Sequence, residues 1–114
     1  MYVLLLFLDG VGLGEADAGH NPFACGDLPN LRALLEGRRL VRDTPSFSTD
    51  LISFVPTDPC LGVHGRPQSA TGQATIVTGL NVPQIIGKHW GPKPNSDISH
   101  IKRADNLLQK MVDA

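Results

Sequence analysis

The feature of the sequence that most constrains the fold is a continuous apolar run over residues 2–8, which ends at the turn-forming pair Asp9 and Gly10. The run does not alternate between polar and apolar residues, which is typical of a strand covered on both faces. It has no basic segment before it and is too short for a signal peptide or a membrane-spanning helix. We therefore expect a buried strand of a parallel sheet and neither a signal peptide nor a membrane span.

Three later segments have helical patterns. Residues 28–35 predict a short helix that starts near Pro29, with Gly37 where a C-cap would lie. Residues 70–78, which precede Gly79, place apolar side chains at helical spacing and predict a second helix. Residues 98–112 predict a third helix with Asn95 or Ser96 as its N-cap and Asp97 in its first turn. The apolar stripe expected on this last helix consists of Ile98, Ile101, Ala104, Leu108, Met111 and Val112.

The remaining segments are less regular. Residues 40–41 could form a second short strand, residues 44–59 are either a loop or an irregular edge strand, and residues 81–94 are expected to form a surface loop because they contain three Pro and two Gly. Strands that alternate with helices predict an α/β architecture.

Composition narrows the class of protein. A chain of 114 residues allows one domain or part of one, and its 41% hydrophobic content is enough for a core. The net charge of −1 gives no electrostatic reason to expect nucleic acid or an anionic membrane as partner. Cys25 and Cys60 do not make a disulfide framework. These features predict a cytoplasmic globular unit.

Asp9 is the first candidate for chemistry, because it follows the predicted strand and is followed by Gly10 and Gly12. Ligands of open α/β sheets gather at the carboxyl ends of strands, where a carboxylate can hold a cation. The glycine spacing does not match the dinucleotide-binding fingerprint. The alternative interpretation is that Asp9 only ends the strand in an Asx-type turn.

Ser69 is the second candidate, at the expected start of the helix over residues 70–78. The N–H groups and dipole of a helix N-terminus attract anions, and a hydroxyl there could attack phosphorus if a base or a divalent cation activates it. The alternative interpretation is a plain Ser N-cap, although Gly72 stands where a capping box needs Glu or Gln.

The four histidines do not form a metal-binding motif in the sequence. They are separated by long intervals, without an HExxH or HxxxH pattern. Asp97 and His100 are one helical turn apart and could chelate weakly, but a surface pair is the commoner outcome for this spacing. The four residues are His20, His64, His89 and His100.

Two stretches of the sequence are similar to a known superfamily. Residues 6–12, which read Leu-Phe-Leu-Asp-Gly-Val-Gly, resemble the opening strand and turn of cofactor-independent phosphoglycerate mutases, and residues 21–31 resemble the segment that follows in them. Residues 67–73, which read Pro-Gln-Ser-Ala-Thr-Gly-Gln, look like the nucleophile turn of the alkaline phosphatase superfamily. The resemblance spans residues 2–94.

The resemblance implies a site for phosphoryl transfer with two divalent metal ions (Mn, Zn or Mg) and a small phosphorylated substrate. Asp9 would be a metal ligand, and Ser69 would be both a metal ligand and the nucleophile that is transiently phosphorylated. Some related mutases use a Thr nucleophile, which makes Thr71 the alternative, but alignment on Gly72 favours Ser69. Gln68, Thr71 and the backbone of Ala70 would orient the phosphoryl group, and Arg66 would neutralise substrate charge.

The departures from the superfamily imply an incomplete site. Its remaining ligands are Asp and His residues of later segments, including an Asp-His pair, and this sequence has no such pair. Two protein ligands cannot fill the coordination shells of two divalent ions. Residues 1–114 are thus expected to be the N-terminal portion of a metalloenzyme catalytic domain, with part of an alkaline phosphatase-like parallel sheet flanked by helices, and to be inactive alone.

Two other functions stay open at the level of the sequence. A non-catalytic α/β module could bind phosphate, or could self-associate into a homo-oligomer through apolar surface that an incomplete sheet exposes. A nucleotide-binding domain ranks last, because the GxxxxGK[ST] and GxGxxG patterns are both missing from the sequence.

Overall fold

Proline begins both short helices in the first half of the chain. The computed structural model describes residues 3–113, and these divide into two units at the boundary between Thr57 and Asp58. In the first unit, α1 spans Pro22–Cys25 and α2 spans Pro29–Leu34. A proline is favourable at the first helical position because its missing N–H has no partner to lose there. The helix predicted over residues 28–35 is confirmed as α2.

The end of α2 differs from the prediction by two residues. Leu35 is the C-cap, and Glu36 takes the left-handed backbone conformation with φ 51°. The N–H of Glu36 donates to the Ala33 carbonyl at 3.1 Å, and the N–H of Gly37 donates to the Arg32 carbonyl at 2.7 Å. These two bonds form a Schellman motif. Glu36 occupies its left-handed position, and Gly37 is the next residue.

Residues 44–59, which the sequence left open between a loop and a strand, contain an antiparallel hairpin. β1 (Phe47–Ser48) pairs with β2 (Ser53–Phe54), and Phe47 lies opposite Phe54. The two ring centroids are 5.6 Å apart, within the range of a stabilising aromatic pair. The guanidinium of Arg38 covers the Phe47 ring at 4.1 Å from its centroid.

Residues 3–8 do not form the predicted strand in this structure. Their side chains are exposed, from 42% for Phe7 to 89% for Leu4. A strand needs a hydrogen-bonding partner, and within residues 3–113 the strand pairing is confined to β1 and β2. Residues 40–41 are not a strand either, although Val41 is buried. Tyr2 lies outside the described residues, and the parallel sheet stays a prediction.

The second unit contains four helices. α3 spans Ser69–Thr78 and ends at Gly79, whose φ of 73° is the left-handed conformation that favours glycine, so the helix predicted over residues 70–78 is confirmed. α4 spans Val82–Ile86 within the segment predicted to be a loop. The side chain of Asn81 accepts a hydrogen bond from the Gln84 N–H at 3.2 Å, which explains why this proline-containing segment begins a helix.

The last predicted helix is divided in two. α5 spans Ser96–Ala104 and α6 spans Leu107–Asp113. Asn95 is confirmed as the N-cap and Asp97 as an acidic residue of the first turn. The side chain of Asn106 donates to the Lys102 carbonyl at 2.8 Å and accepts from the Gln109 N–H at 2.9 Å, so it serves the end of α5 and the start of α6.

The core of the second unit is small and lies where α3, α4 and α5 meet. Its buried members are Ala70, Ala74, Val82 and Ile98, with Ile86 and Ile101 packed against them. The rest of the predicted stripe is exposed; these residues are Ala104, Leu108, Met111 and Val112. Among residues 3–113, no helix is long and apolar enough to cross a membrane.

Candidate functional site

Ser69 is the first residue of α3 and is half-buried. The N-cap is the preceding residue, Gln68, which has an extended backbone (φ −129°, ψ 148°) and makes no side-chain cap hydrogen bond. The interpretation of Ser69 as a plain N-cap is therefore wrong by one position. Its hydroxyl belongs to the first turn of a ten-residue helix, where backbone N–H groups and the helix dipole favour a negative charge.

Thr71 is fully buried and joins the first turn of α3 to residues 88–94, which we call the Trp90 loop. The Thr71 N–H donates to the Trp90 carbonyl at 3.1 Å, and the Trp90 N–H donates to the Thr71 hydroxyl oxygen at 3.3 Å. The Thr71 hydroxyl proton lies within reach of the Gln68 carbonyl at 3.1 Å and of the Trp90 carbonyl at 3.4 Å. The hydroxyl is thus used within the fold, and the expected contact of Thr71 with a phosphoryl group stays a prediction.

Gly91 brings the Trp90 loop against the backbone at the start of α3. A Cβ at this position would lie 3.1 Å from the Ser69 amide nitrogen. It would also lie 3.0 Å from Cβ and 3.2 Å from Oε1 of Gln68. These distances are tighter than ordinary carbon contacts, so a side chain at position 91 would require Gln68 and Ser69 to move by a few tenths of an ångström.

Other contacts hold the Trp90 loop in place. The ring nitrogen Nε2 of His89 lies 3.1 Å from the Val63 carbonyl oxygen, and the indole N–H of Trp90 donates to the Lys93 carbonyl at 3.0 Å. The ammonium of Lys88 lies 4.9 Å from the centre of the Trp90 ring, which is a cation–π distance. The loop therefore has contacts both within itself and with the segment that precedes α3.

The sequence around α3 carries positive charge only. Residues 59–96 contain Arg66, Lys88 and Lys93 and no Asp or Glu, which gives this segment a net charge of +3 with neutral histidines. Arg66 is exposed three residues before Ser69. Because the N-terminus of a helix is itself positive, an anion at the start of α3 would meet attraction from both sources.

Asp9 belongs to the first unit, and Ser69 belongs to the second. Asp9 is exposed and lies in a turn with Gly10, whose φ is 74°. A turn at this position agrees with the alternative interpretation of Asp9 as a turn residue. Its role as a metal ligand together with Ser69 stays a prediction.

The described residues do not by themselves provide a metal centre. A carboxylate and a hydroxyl are oxygen donors of the kind that Mg²⁺ and Mn²⁺ accept. Within residues 3–113, however, no three side chains of His, Cys, Asp or Glu come together to hold an ion. The donor type fits a divalent cation, but the number of donors does not.

Two ionisable groups outside the Ser69 region have shifted pKa values. His20 Nδ1 lies 2.6 Å from an Asp17 carboxylate oxygen, and this hydrogen bond, with one from the Gly19 N–H, lowers the pKa of Asp17. Desolvation, followed by the charge of Asp58, raises the pKa of the Cys60 thiol.

An open cleft at the junction of α5 and α6 was not foreseen from the sequence. It has a volume of about 420 Å³ and contains two cations, Lys102 and Arg103, with three neutral polar side chains. The neutral residues are Ser99, Asn106 and Gln109. The polar residues that line it recur at helical spacing, but this spacing alone does not indicate a concave surface.

Comparison with known proteins finds no match: no protein family, no curated protein and no solved structure is similar enough to this chain to be assigned to it. The likeness of residues 6–12 and 67–73 to the alkaline phosphatase superfamily thus depends on those residues alone.

Proposed function

We propose that the chain carries part of the site of a metal-dependent phosphoryl-transfer enzyme, a phosphatase or a phosphomutase, which works through a phosphorylated Ser69. The substrate is a small phosphorylated molecule, and the setting is the cytoplasm. The proposed fold is the N-terminal portion of an alkaline phosphatase-like α/β domain, with residues 2–8 as a strand of its parallel sheet.

The position of Ser69 in the first turn of α3 is the observation that carries this proposal. Gln68 is the N-cap, so Ser69 is the first residue inside the helix. The phosphoryl oxygens of a substrate at this point would face the positive end of the helix dipole. Arg66, Lys88 and Lys93 add positive charge in the same part of the sequence, without an Asp or Glu to offset it.

The proposed reaction proceeds in two displacements. The Ser69 hydroxyl oxygen forms a bond to phosphorus and releases its proton to solvent, while the bond from phosphorus to the leaving oxygen breaks and that oxygen takes a proton from solvent. Water or a second hydroxyl then takes the phosphoryl group, loses its own proton and leaves Ser69 as a hydroxyl again. Divalent ions would supply activation of the hydroxyl and neutralisation of phosphate charge. Asp9 and Ser69 are too few to hold them, so the proposal requires ligands from outside residues 1–114.

The proposal is tested on the full-length gene product that contains these residues. Hydrolysis of p-nitrophenyl phosphate is measured with Mn²⁺, Zn²⁺ and Mg²⁺, and phosphoserine is mapped by mass spectrometry after rapid acid quenching. We expect a phosphorylated peptide at Ser69, and a loss of activity of at least about a hundredfold in Ser69→Ala, which is the scale of losing a nucleophile.

Ser99→Ala is the matched control, since Ser99 is a half-buried helical serine whose hydroxyl donates to the Asn95 carbonyl at 2.8 Å. The control is expected to keep its phosphatase rate. An unchanged rate in Ser69→Ala, or a phosphorylated peptide at another residue, would reject Ser69 as the nucleophile. The same measurement on Asp9→Asn tests the proposed metal ligand through the metal concentration needed for half-maximal rate.

The exposure of residues 3–8 favours a second candidate function, a non-catalytic module that self-associates. Six consecutive apolar residues without Pro, Gly or charge are exposed there, and such segments pair readily with copies of themselves. Light scattering of the chain over a concentration series tests this function. A strictly monomeric chain, or a Leu6→Lys variant that associates as strongly, would contradict it.

A further inference from the structure

We infer that Thr71 is a positioning residue for Ser69: its hydroxyl holds the Trp90 loop so that Gly91 lies against the amide of Ser69 and fixes the hydroxyl-bearing backbone at the start of α3. The inference rests on the proposed function for its biological meaning. The contacts that support it lie within residues 68–71 and 88–94.

Thr71 contacts both the start of α3, next to Ser69, and the Trp90 loop. Within α3 its hydroxyl reaches the carbonyl of Gln68, the residue immediately before Ser69, at 3.1 Å. Across the loop, its backbone N–H and its hydroxyl oxygen bind the carbonyl and the N–H of Trp90 at 3.1 Å and 3.3 Å. One fully buried side chain therefore connects the residue before Ser69 with the residue before Gly91.

Gly91 converts this connection into a constraint on Ser69. The space beside the Ser69 amide is so narrow that a Cβ on residue 91 would lie at 3.1 Å from it. The loop thus occupies the volume next to the first turn of α3, and the position of that turn depends on where the loop is held. A shift of a few tenths of an ångström at a reacting group is enough to affect catalysis, since productive geometries are narrow.

This arrangement separates the roles of the two hydroxyls in the motif. Ser69 is the half-buried first residue of α3, and Thr71 is fully buried with its hydroxyl hydrogen-bonded to backbone. In this inference Thr71 acts through Ser69. The alternative nucleophile suggested by the sequence becomes a residue that holds the nucleophile in place.

The test replaces Ser69 with Cys, so that the thiol reports on the electrostatics at this position without metal or substrate. Alkylation by iodoacetamide is followed from pH 5 to pH 10 and assigned by peptide mapping, which separates residue 69 from Cys25 and Cys60. In Ser69→Cys we expect a thiol pKa below the ordinary value of about 8.5, as is found for thiols in the first turn of helices.

Thr71→Val and Gly91→Ala are then each combined with Ser69→Cys. Both are expected to raise the thiol pKa by about half a unit or more, equivalent to about a threefold loss of thiolate at neutral pH. Thr71→Ser, which keeps the hydroxyl, is expected to restore the parent value. Gly72→Ala is the matched control for Gly91→Ala, since a Cβ on Gly72 meets no atom within 4 Å.

The emission of Trp90, the single tryptophan of the sequence, shows whether each variant keeps the loop folded. A thiol pKa that is the same in all variants with native emission would overturn the inference. If Thr71→Val does not fold, Thr71→Ala takes its place against Thr71→Ser, and Gly91→Ala against Gly72→Ala tests the contact of the loop with Ser69 separately. The outcome is independent of the proposed function, because full activity of Ser69→Ala would remove the reaction while leaving the thiol measurement intact.

Discussion

The side-chain oxygen of Asn95 accepts a hydrogen bond from the N–H of Ile98 at 3.0 Å, and Ile98 is the fully buried residue by which α5 enters the core. The cap and the anchor of the helix are therefore in direct contact. Asn95 thus satisfies a backbone N–H of the first turn of α5 and also fixes the backbone of Ile98, whose side chain packs against α3 and α4.

Replacing Asn95 with Ala should destabilise the second unit. The Ile98 N–H would lose its partner in the first turn, which typically costs about 1 kcal/mol of the free energy of unfolding. Urea unfolding followed by Trp90 emission measures this change. Ser96→Ala is the control, since Ser96 is exposed and is not the N-cap, and a loss as large as that of Asn95→Ala would contradict the assignment.

Ile98 and Leu108 test the division of the predicted helix into two. Ile98→Ala removes a fully buried side chain and should lower the free energy of unfolding by about 2–5 kcal/mol. Leu108 is 57% exposed, so Leu108→Ala should change the free energy of unfolding by less than about 0.5 kcal/mol. A continuous amphipathic helix over residues 98–112 would instead make the two losses similar, as urea unfolding would show.

Glu36→Gly should stabilise the first unit. Glu36 takes a positive φ, which is unfavourable for a residue with a Cβ and is free of that cost for glycine. Its ion pair with Arg38 at 2.9 Å is exposed and contributes little. The net gain should be about 0.5–1 kcal/mol, seen as slower hydrogen exchange of the α2 amides. Faster exchange in the variant would show that the ion pair outweighs the backbone strain.

The Asp17 carboxylate gives a pH-dependent prediction for the first unit. Its hydrogen bonds from His20 and Gly19 lower its pKa in the folded chain, so the stabilisation is present above the ordinary aspartate pKa and is lost as the pH falls through the lowered value. His20→Ala should move the pKa of Asp17 back towards its ordinary range. Carboxyl chemical shifts followed by NMR titration measure both states, and an unchanged titration would show that His20 is not the main cause.

Local signals in the sequence were sufficient for the parts of the fold that depend on local chemistry. Pro29 for the start of α2, Gly79 for the end of α3 and Asn95 for the start of α5 each act on backbone groups within four residues. The predicted strand over residues 2–8 cannot be established from local signals, because a strand forms only where another strand pairs with it.

The candidate site shows the same limit. Ser69 could be placed near a helix start from the pattern of residues 67–79, although the capping residue proved to be Gln68. The contact of Thr71 with Trp90 joins residues 19 positions apart, and nothing in the spacing of either residue indicates it. The burial of Thr71, which calls for a hydrogen-bond partner, becomes visible only in the structure.

The break at Asp105 and Asn106 also marks where this unit can be shortened or extended. Among residues 58–113, the fully buried side chains lie between residues 70 and 98, and α6 contributes none of them. Because α6 also contacts α3, a protease cut between α5 and α6, or a tag fused at residue 105, would weaken that contact but would remove no fully buried side chain.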